Sequence, residues 1–246
     1  MSNQSHHFKV GNVIISAMSK PAALNLLVDH ILAGKGGIFS FANAHSVNLA
    51  RQMPAFADVL QDITIFNDGV GIDLAALILT GKSLPANLNG TDLTPALLSV
   101  LPTGTRIFLL GSPPGVAVAA QAVLNRRFPL LQFVGARDGF FLTTEGDEVA
   151  TQIAEAGAQL VIVGMGQPHQ EFWATNYAKS TNAVALCAGA ILDFTAGRFT
   201  RAPRWLQVAR LEWAYRLILE PRRLMKRYLV GNASFLLHVF LERHRR

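Results

Sequence analysis

The chain has 246 residues, of which half are hydrophobic and 15% are charged, which suits one large α/β domain or a domain with an appendage. Its single cysteine, Cys187, excludes an intramolecular disulfide and a cysteine-rich zinc site, and it fits a reducing compartment. Residues 1–9 are polar and the uncharged stretch 107–125 is broken by glycines and prolines, so we expect neither a signal peptide nor a membrane span.

The first hundred residues alternate between short apolar strands and amphipathic helices. One helix carries Leu24, Leu27, Val28 and Ile31 on a single face. We predict strands over residues 13–16, 38–42 and 63–66, and helices over residues 21–33, about 47–53, 71–79 and 91–101.

A second alternating series follows. We predict strands over residues 106–110, 131–135, 160–163 and 183–188, and helices over residues 116–128, 145–156 and 168–178. Strands that alternate with helices of this length indicate an α/β fold, with a parallel sheet covered by helices on both faces. After Gly197 only helical patterns remain, so we expect a core over residues 1–197 and a helical appendage over residues 198–246.

The charge is unevenly distributed between these two parts. Residues 198–246 hold twelve Lys/Arg and three Glu, a net charge of +9, whereas residues 1–197 carry a net charge of −3. A basic tail indicates an anionic partner. It lacks the aromatic platform or reading motif of a nucleic-acid binder, so we expect no nucleic-acid partner. A helix near residues 222–229 could lie on an anionic membrane surface, or pack on its own core or a neighbouring subunit.

Small or polar residues follow five of the predicted strands. The carboxyl ends of parallel strands share one edge of a sheet, where open α/β sheets bind ligands, so we expect a ligand cleft there. These strand ends are Asn43 with His45, Asn67-Asp68-Gly69, Gly111-Ser112, Gly164-Met165-Gly166-Gln167-Pro168, and Gly189.

Asp68 is the carboxylate best placed for chemistry, at the end of a buried strand and before a helix. The same Asn-Asp-Gly sequence is equally typical of a turn with capping side chains. General-base catalysis by a carboxylate is one use of such a position.

Other sites find little support in the sequence. Gly164-x-Gly166 lacks the third glycine of a dinucleotide fingerprint, and no acidic residue closes the following strand. No Walker phosphate loop and no Asp-x-Asp motif are present, and His45 and His169 are isolated from other metal ligands. We therefore expect no metal and no cofactor, with an NAD-dependent oxidoreductase as the alternative enzyme class.

A series of short motifs, taken in order and spacing, resembles the WecG/TagA/CpsF glycosyltransferases. The resemblance extends from about Val10 to Arg227. The motifs are Asn67-Asp68-Gly69-Val70-Gly71, Asn89-Gly90-Thr91-Asp92-Leu93, Asp138-Gly139-Phe140-Phe141, Gly164-Met165-Gly166-Gln167-Pro168-His169-Gln170-Glu171, Gly189-Ala190-Ile191-Leu192-Asp193, Arg201-Ala202-Pro203 and Leu211-Glu212-Trp213-Ala214-Tyr215-Arg216.

The resemblance implies a Rossmann-like core and an inverting enzyme. It would move one sugar (a hexose, an N-acetylhexosamine or its uronate) from a UDP-sugar donor to a polyprenyl-pyrophosphate-linked acceptor in bacterial surface or extracellular polysaccharide synthesis. It also implies a peripheral protein on the cytoplasmic, inner face of the bacterial membrane, bound to its anionic surface, with a homo-oligomer as a further assembly. A non-catalytic UDP-sugar-binding membrane protein is the remaining alternative.

The resemblance also implies roles for residues. Asp68 matches the family's proposed general base, and Asn43 matches an asparagine of the substrate pocket. Gln170 and Glu171 match a pair of residues behind the Gly-x-Gly turn. Asp193 matches a residue that contacts the nucleoside. The further candidates for substrate binding are Asn67, Gly69, Asn89, Thr91, Gly111, Gly139, Gly164, Gly166, Gly189, Arg201 and Arg216.

Two residues depart from the pattern that the resemblance implies. Phe41 and Asn87 stand where many members have Thr and Arg. Both positions touch the presumed sugar pocket, so the sugar cannot be copied from other members.

Overall fold

The computed structural model describes residues 6–208, 211–219 and 221–245. These residues form an eight-stranded sheet in the order β1-β2-β4-β3-β8-β7-β5-β6, in which only the β1–β2 pair is antiparallel. The α/β prediction is confirmed. The strands are β1 (His6–Val10), β2 (Val13–Ala17), β3 (Ile38–Ala42), β4 (Thr64–Asn67), β5 (Arg106–Gly111), β6 (Gln132–Arg137), β7 (Leu160–Gly164) and β8 (Val184–Cys187).

Every predicted strand is present, within about two residues at either end. Strand β1 was not predicted, because it is an edge strand that pairs only with β2 and needs no continuous apolar run. The last strand in the chain, β8, lies at the centre of the sheet between β3 and β7.

Helices cover both faces of the sheet, as predicted. One face packs against α1 (Lys20–Leu32), α5 (Gly90–Val100), α6 (Val116–Arg127) and α9 (Ile191–Thr195) around Phe39, Ile107, Leu160 and Leu186. The opposite face packs against α2 (Ala44–Gln52), α3 (Pro54–Val59), α4 (Val70–Thr80), α7 (Gly146–Glu155) and α8 (His169–Thr181).

Two asparagines set the starts of helices at the edge of the sheet. Asn43 caps α2, accepting hydrogen bonds from the backbone N–H groups of His45 and Ser46 at 3.0 and 3.3 Å. This cap starts α2 about three residues earlier than the apolar pattern predicts. Asn89 likewise caps α5, accepting from the N–H of Asp92 at 2.9 Å.

The tail is helical, as predicted. It consists of α10 (Arg204–Val208), α11 (Glu212–Leu219), α12 (Pro221–Met225), one wide π-type turn (Lys226–Val230) and α13 (Gly231–Arg245). Helix α13 returns to the core, burying Phe235 and Val239 against α2 and α4. Within the described ranges, none of the helices has the length and apolar character needed to cross a membrane.

Candidate active site

A cleft of about 340 Å³ opens at the carboxyl ends of β3 and β4. The core supplies one side of it, and the tail covers the other. We call the core side the floor, formed by Asn43, Asp68, Gly69, Asn87, Asn89 and Thr91. We call the tail side the wall, formed by Glu212, Trp213, Arg216, Tyr228 and Asn232.

The cleft lies where the chain leaves neighbouring strands toward opposite faces. From β3 the chain enters α2 on one face, and from β8 it enters α9 on the other. Such a divergence opens a crevice at the carboxyl ends of the strands, the usual ligand position in α/β sheets. The five polar strand ends belong to β4, β3, β8, β7 and β5, which are consecutive in the sheet and span about 19 Å.

Asp68 lies on the floor directly after β4. Its N–H donates to the carbonyl of Ala42 at 2.8 Å, which extends the β3–β4 pairing by one residue and fixes the backbone of Asp68. The side-chain Nδ2 of Asn43 lies 3.4 Å from Asp68 Oδ2. The structure therefore brings together the carboxylate and the amide that were predicted from separate strands.

The backbone around Asp68 is held by two further asparagines. Asn67 is fully buried and donates from Nδ2 to the carbonyl of Ala86 at 2.7 Å. Asn87 accepts from the N–H of Gly69 through Oδ1 at 3.0 Å. Asn67 thus supports the floor from behind, while Asn87 lines the cleft.

Arg201 connects the floor to the wall. Its guanidinium contacts Asp92 of α5 at 2.5 Å and Glu212 of α11 at 3.2 Å. Burial alone would raise the pKa of Asp92, but hydrogen bonds from Asn89 and Arg201, with the charge of Arg201, bring that pKa below its ordinary value. Burial would lower the pKa of Arg201, but its two carboxylate partners raise it. This pairing leaves Arg201 engaged with protein carboxylates.

Arg216 is the one arginine or lysine among the described residues that line the cleft. Its guanidinium lies 5.5 Å from the centre of the Phe194 ring, a cation–π contact that joins α11 to α9. Trp213 and Tyr228 pack edge to face nearby, with ring centres 6.0 Å apart. The wall therefore presents one positive charge and an aromatic surface to the floor.

Of the predicted glycines, Gly69 lies on the floor. The other five form a separate group along the edge beyond β8: Gly111, Gly139, Gly164, Gly166 and Gly189. Strands β5 and β7 approach so closely that a Cβ on Gly111 would lie 2.4 Å from the carbonyl carbon of Gly164. Gly139 lies against Gly111, and Gly189 follows β8 with its carbonyl facing Gly164. Gly166 has a positive φ of 77°, which favours glycine. Close packing accounts for Gly111, Gly139 and Gly164, and a positive φ accounts for Gly166 and Gly189. None of the five lines the cleft.

Asp193 is almost buried beside this glycine group. Its carboxylate accepts from Ser112 Oγ at 2.9 Å and pairs with Arg198 at 2.8 Å. Both carboxylate oxygens of Asp193 therefore already contact protein side chains.

Gln170 and Glu171 lie in the interior behind the floor. Gln170 donates to the carbonyl of Cys187 at 3.2 Å and accepts from the N–H of Gly189 at 3.2 Å. Glu171 is fully buried, and its Oε1 accepts from Ser40 at 2.6 Å and from Gln170 at 2.8 Å. Burial raises the pKa of Glu171, although these hydrogen bonds oppose the shift. Neither side chain lines the cleft.

Two residues depart from the family pattern, Phe41 and Asn87. Asn87 lines the cleft, whereas Phe41 does not. Phe41 is buried and packs against Phe66, with its ring near Gly90, so it is part of the core.

Sequence reasoning assigned no individual site role to several cleft residues: His45, Phe194, Gln207, Trp213, Tyr228 and Asn232. Two of them gave a usable signal: His45 follows Asn43 at a strand end, and Trp213 lies in the motif over residues 211–216. In the described part of the chain, no three His, Cys, Asp or Glu side chains form a group suited to a metal ion.

The sequence matches the model of the family described as "Glycosyl transferase WecG/TagA/CpsF family" over residues 8–246. It is also similar to two Bacillus proteins, each named N-acetylglucosaminyldiphosphoundecaprenol N-acetyl-beta-D-mannosaminyltransferase. The protein from Bacillus subtilis (strain 168) is 32% identical over 81% of this chain and 78% of its own length. The protein from Bacillus spizizenii (strain ATCC 23059 / NRRL B-14472 / W23) is 32% identical over 77% of this chain and 74% of its own length.

Proposed function

The chain belongs to the WecG/TagA/CpsF family of glycosyltransferases, and from that premise we propose that it transfers one sugar from a UDP-sugar to a polyprenyl-diphosphate-linked acceptor with inversion at the anomeric carbon. The sugar is a hexose, an N-acetylhexosamine or its uronate, and the product enters a bacterial surface or extracellular polysaccharide. The names of the two relatives support the lipid-linked acceptor and the N-acetylhexosamine class.

The observation that carries this proposal is the position of Asp68 on the floor, with the amide of Asn43 beside it. In the proposed reaction, Asp68 accepts the proton of the acceptor hydroxyl. The hydroxyl oxygen then bonds to the anomeric carbon from the face opposite the bond to UDP, which breaks. General-base assistance of this kind contributes about 10²–10⁴ to the rate.

The leaving diphosphate needs compensating positive charge, and two features of the cleft support such a role. Arg216 projects from the wall and can donate charge-assisted hydrogen bonds to phosphate oxygens. On the floor, α4 starts after Gly69 with no side-chain cap, so its first N–H groups and its dipole face the cleft. We assign diphosphate stabilisation to these two groups, and we expect it to need no divalent metal.

The tail also supports attachment to the inner face of the cytoplasmic membrane. Trp205 of α10 and Ile218 of α11 are 69% and 77% exposed. Together with the net charge of +9 over residues 198–246, these apolar side chains suit insertion among anionic headgroups. The side chains of Arg223, Lys226 and Arg227, also expected at the membrane, lie outside the described residues. We accordingly treat residues 1–197 as the catalytic core and residues 198–246 as an appendage that serves both the cleft and the membrane.

A panel of UDP-sugars, assayed with a short-chain polyprenyl-diphosphate-linked N-acetylhexosamine, tests this proposal. We expect UDP release and a product whose new glycosidic bond has the anomeric configuration opposite to that of the donor, with turnover unchanged in excess EDTA. Binding of a UDP-sugar without turnover on the panel would favour a sensor, and binding of NAD would favour an oxidoreductase. Loss of activity in EDTA with rescue by one divalent ion would overturn the metal-free assignment.

Sedimentation with anionic vesicles tests the membrane assignment. Replacement of Trp205 and Ile218 by Ser should weaken vesicle binding about tenfold or more, because each change removes exposed apolar surface that the bilayer would bury. Turnover on a water-soluble acceptor should stay the same. Unchanged vesicle binding in the double variant would exclude α10 and α11 as the attachment surface.

A further inference from the structure

A line of hydrogen bonds runs from the candidate base into the interior of the protein. Asn43 donates from Nδ2 toward Asp68 and from its backbone N–H to Ser46 Oγ at 3.0 Å. Ser46 Oγ donates to Gln167 Oε1 at 2.7 Å. Gln167 Nε2 lies 3.2 Å from Oε1 of the buried Glu171. Three elements supply this line, since Asp68 follows β4, Asn43 and Ser46 start α2, and Gln167 precedes α8, which carries Glu171 in its first turn.

The direction of each hydrogen bond is fixed. Gln167 Nε2 has two acceptors, the carbonyl of Phe41 at 2.8 Å and Glu171 Oε1, so its Oε1 must face Ser46. The hydroxyl of Ser46 has two acceptors in reach, Gln167 Oε1 at 2.7 Å and Asn43 Oδ1 at 3.3 Å. Its single proton goes to the nearer one, Gln167, and the oxygen of Ser46 accepts from the backbone N–H of Asn43. Asn43 Oδ1 is occupied by two backbone N–H groups, so its Nδ2 faces Asp68.

Stability alone does not account for the carboxylate at the end of this line. Glu171 is fully buried, and its Oε2 has no hydrogen-bond partner among the described residues. Burying a carboxylate with one oxygen unsatisfied is costly, and a neutral side chain of the same size would not bury a charge. What the carboxylate does supply is a strong acceptor that sets which way the amide of Gln167 points.

We propose that Gln167 and Ser46, anchored by Glu171, are positioning residues that hold Asn43 in the orientation in which its amide meets Asp68. None of the three contacts the reacting groups. They act through Asn43, and their effect is to keep the carboxylate of Asp68 aimed at the acceptor hydroxyl. This inference rests on the proposed function, in which Asp68 is the base.

The decisive experiment is a double-mutant comparison. Gln167→Met keeps the length of the side chain but removes its hydrogen bonds, and we expect kcat to fall about tenfold through misplacement of the base. KM for the donor and the affinity for UDP should change less than twofold. In the Asp68→Asn background the same substitution should lower kcat less than twofold, because no base remains to be positioned. Ser46→Ala should behave in the same way.

Ser40→Ala is the matched control. Ser40 is equally buried and donates to the same oxygen of Glu171, but it does not lie on the path to Asn43. We expect this variant to keep kcat within twofold in both backgrounds. An equal loss from Gln167→Met with and without the Asp68 carboxylate would overturn the proposal, as would an equal loss from Ser40→Ala.

A second measurement does not depend on activity. The side-chain amide resonances of Asn43, assigned by their loss in Asn43→Ala, should shift in Gln167→Met and Ser46→Ala but not in Ser40→Ala. If they stay in place in both variants, the line of hydrogen bonds does not reach Asn43 and the inference is wrong. If they shift while the wild-type protein turns over no UDP-sugar, the proposed reaction is wrong and the structural line stands.

Discussion

The floor and the wall of the cleft are held in place by different means. On the floor, Asn43 and Asp68 follow strands that are buried on both faces. The floor adjoins α2, α4 and α5, whose buried residues include Val47, Ile72, Ala75, Leu93 and Leu97. The wall is carried largely by α11, whose eight residues include none that is buried. It is joined to the floor by the two carboxylate contacts of Arg201 and by the packing of α13.

This difference separates two contributions to the site. The core fixes the floor, so a substitution there changes chemistry while the geometry stays. The wall depends on polar links that water and salt compete for, so its contribution depends on how fully it closes. Three substitutions test this division, from the largest expected effect to the smallest.

Asp68→Asn tests the floor. The amide keeps the shape and most contacts of the carboxylate but cannot accept the proton, so turnover should fall about 10²-fold or more. UDP affinity, measured by calorimetry, should stay within about twofold, since the floor itself does not move. Near-normal turnover would remove Asp68 from the mechanism.

Arg216→Gln tests the charge that the wall contributes. Loss of one charge-assisted contact to the diphosphate should lower turnover about tenfold to 100-fold, even on a water-soluble acceptor. Arg204→Gln is the control, because Arg204 is an exposed arginine of the same tail that does not line the cleft. Equal losses in the two variants would mean that the tail acts through its overall charge.

Arg201→Gln tests the link between floor and wall. Exposed ion pairs contribute roughly 0–1 kcal/mol, so turnover should fall only about threefold, and less at high salt. The lowered pKa of Asp92 means that the ion pair stabilises the fold above pH 3.8 and is lost as the pH falls below that value. The difference in melting temperature between wild type and variant should therefore shrink below pH 3.8.

A matched variant checks that the position of this ion pair matters. Arg137 also contacts two glutamates, Glu145 and Glu148, but all three belong to the core. Arg137→Gln should leave turnover unchanged. If it lowers turnover as much as Arg201→Gln does, joining the wall to the floor is not what Arg201 contributes.

The sequence predicted the floor better than the wall because local patterns determine strand ends. The apolar run before Asn67 and the polar residues after Phe41 and Phe66 placed Asn43 and Asp68 at one edge of the sheet. The order of the strands could not be read in this way, because it depends on packing between distant segments. The central position of β8 was therefore not predicted.

Two kinds of residue were placed differently from expectation. Glu171 was proposed as a substrate contact because it matches the pair that the family resemblance implies behind the Gly-x-Gly turn, yet it lies in the interior among Ser40, Gln167 and Gln170. Tyr228 was assigned no site role, because an aromatic side chain at helical spacing looks the same whether it packs on the core or faces a ligand. Only the path of the tail over the cleft decides between these outcomes.

The central position of β8 has a consequence for how the protein is made. Strands β1 to β4 and strands β5 to β7 are complete before β8 is synthesised, and β3 and β7 then each present an unpaired edge. Open strand edges can pair with other chains, so the nascent protein is exposed to misassociation until residues 184–187 emerge. Strand β8 pairs with β3 on one side and with β7 on the other, so its entry joins the two halves of the sheet. The four residues of β8 therefore complete the sheet. They also bring the carboxyl end of β3, which leads into Asn43, to the same edge of the sheet as the carboxyl end of β7, which carries Gly164.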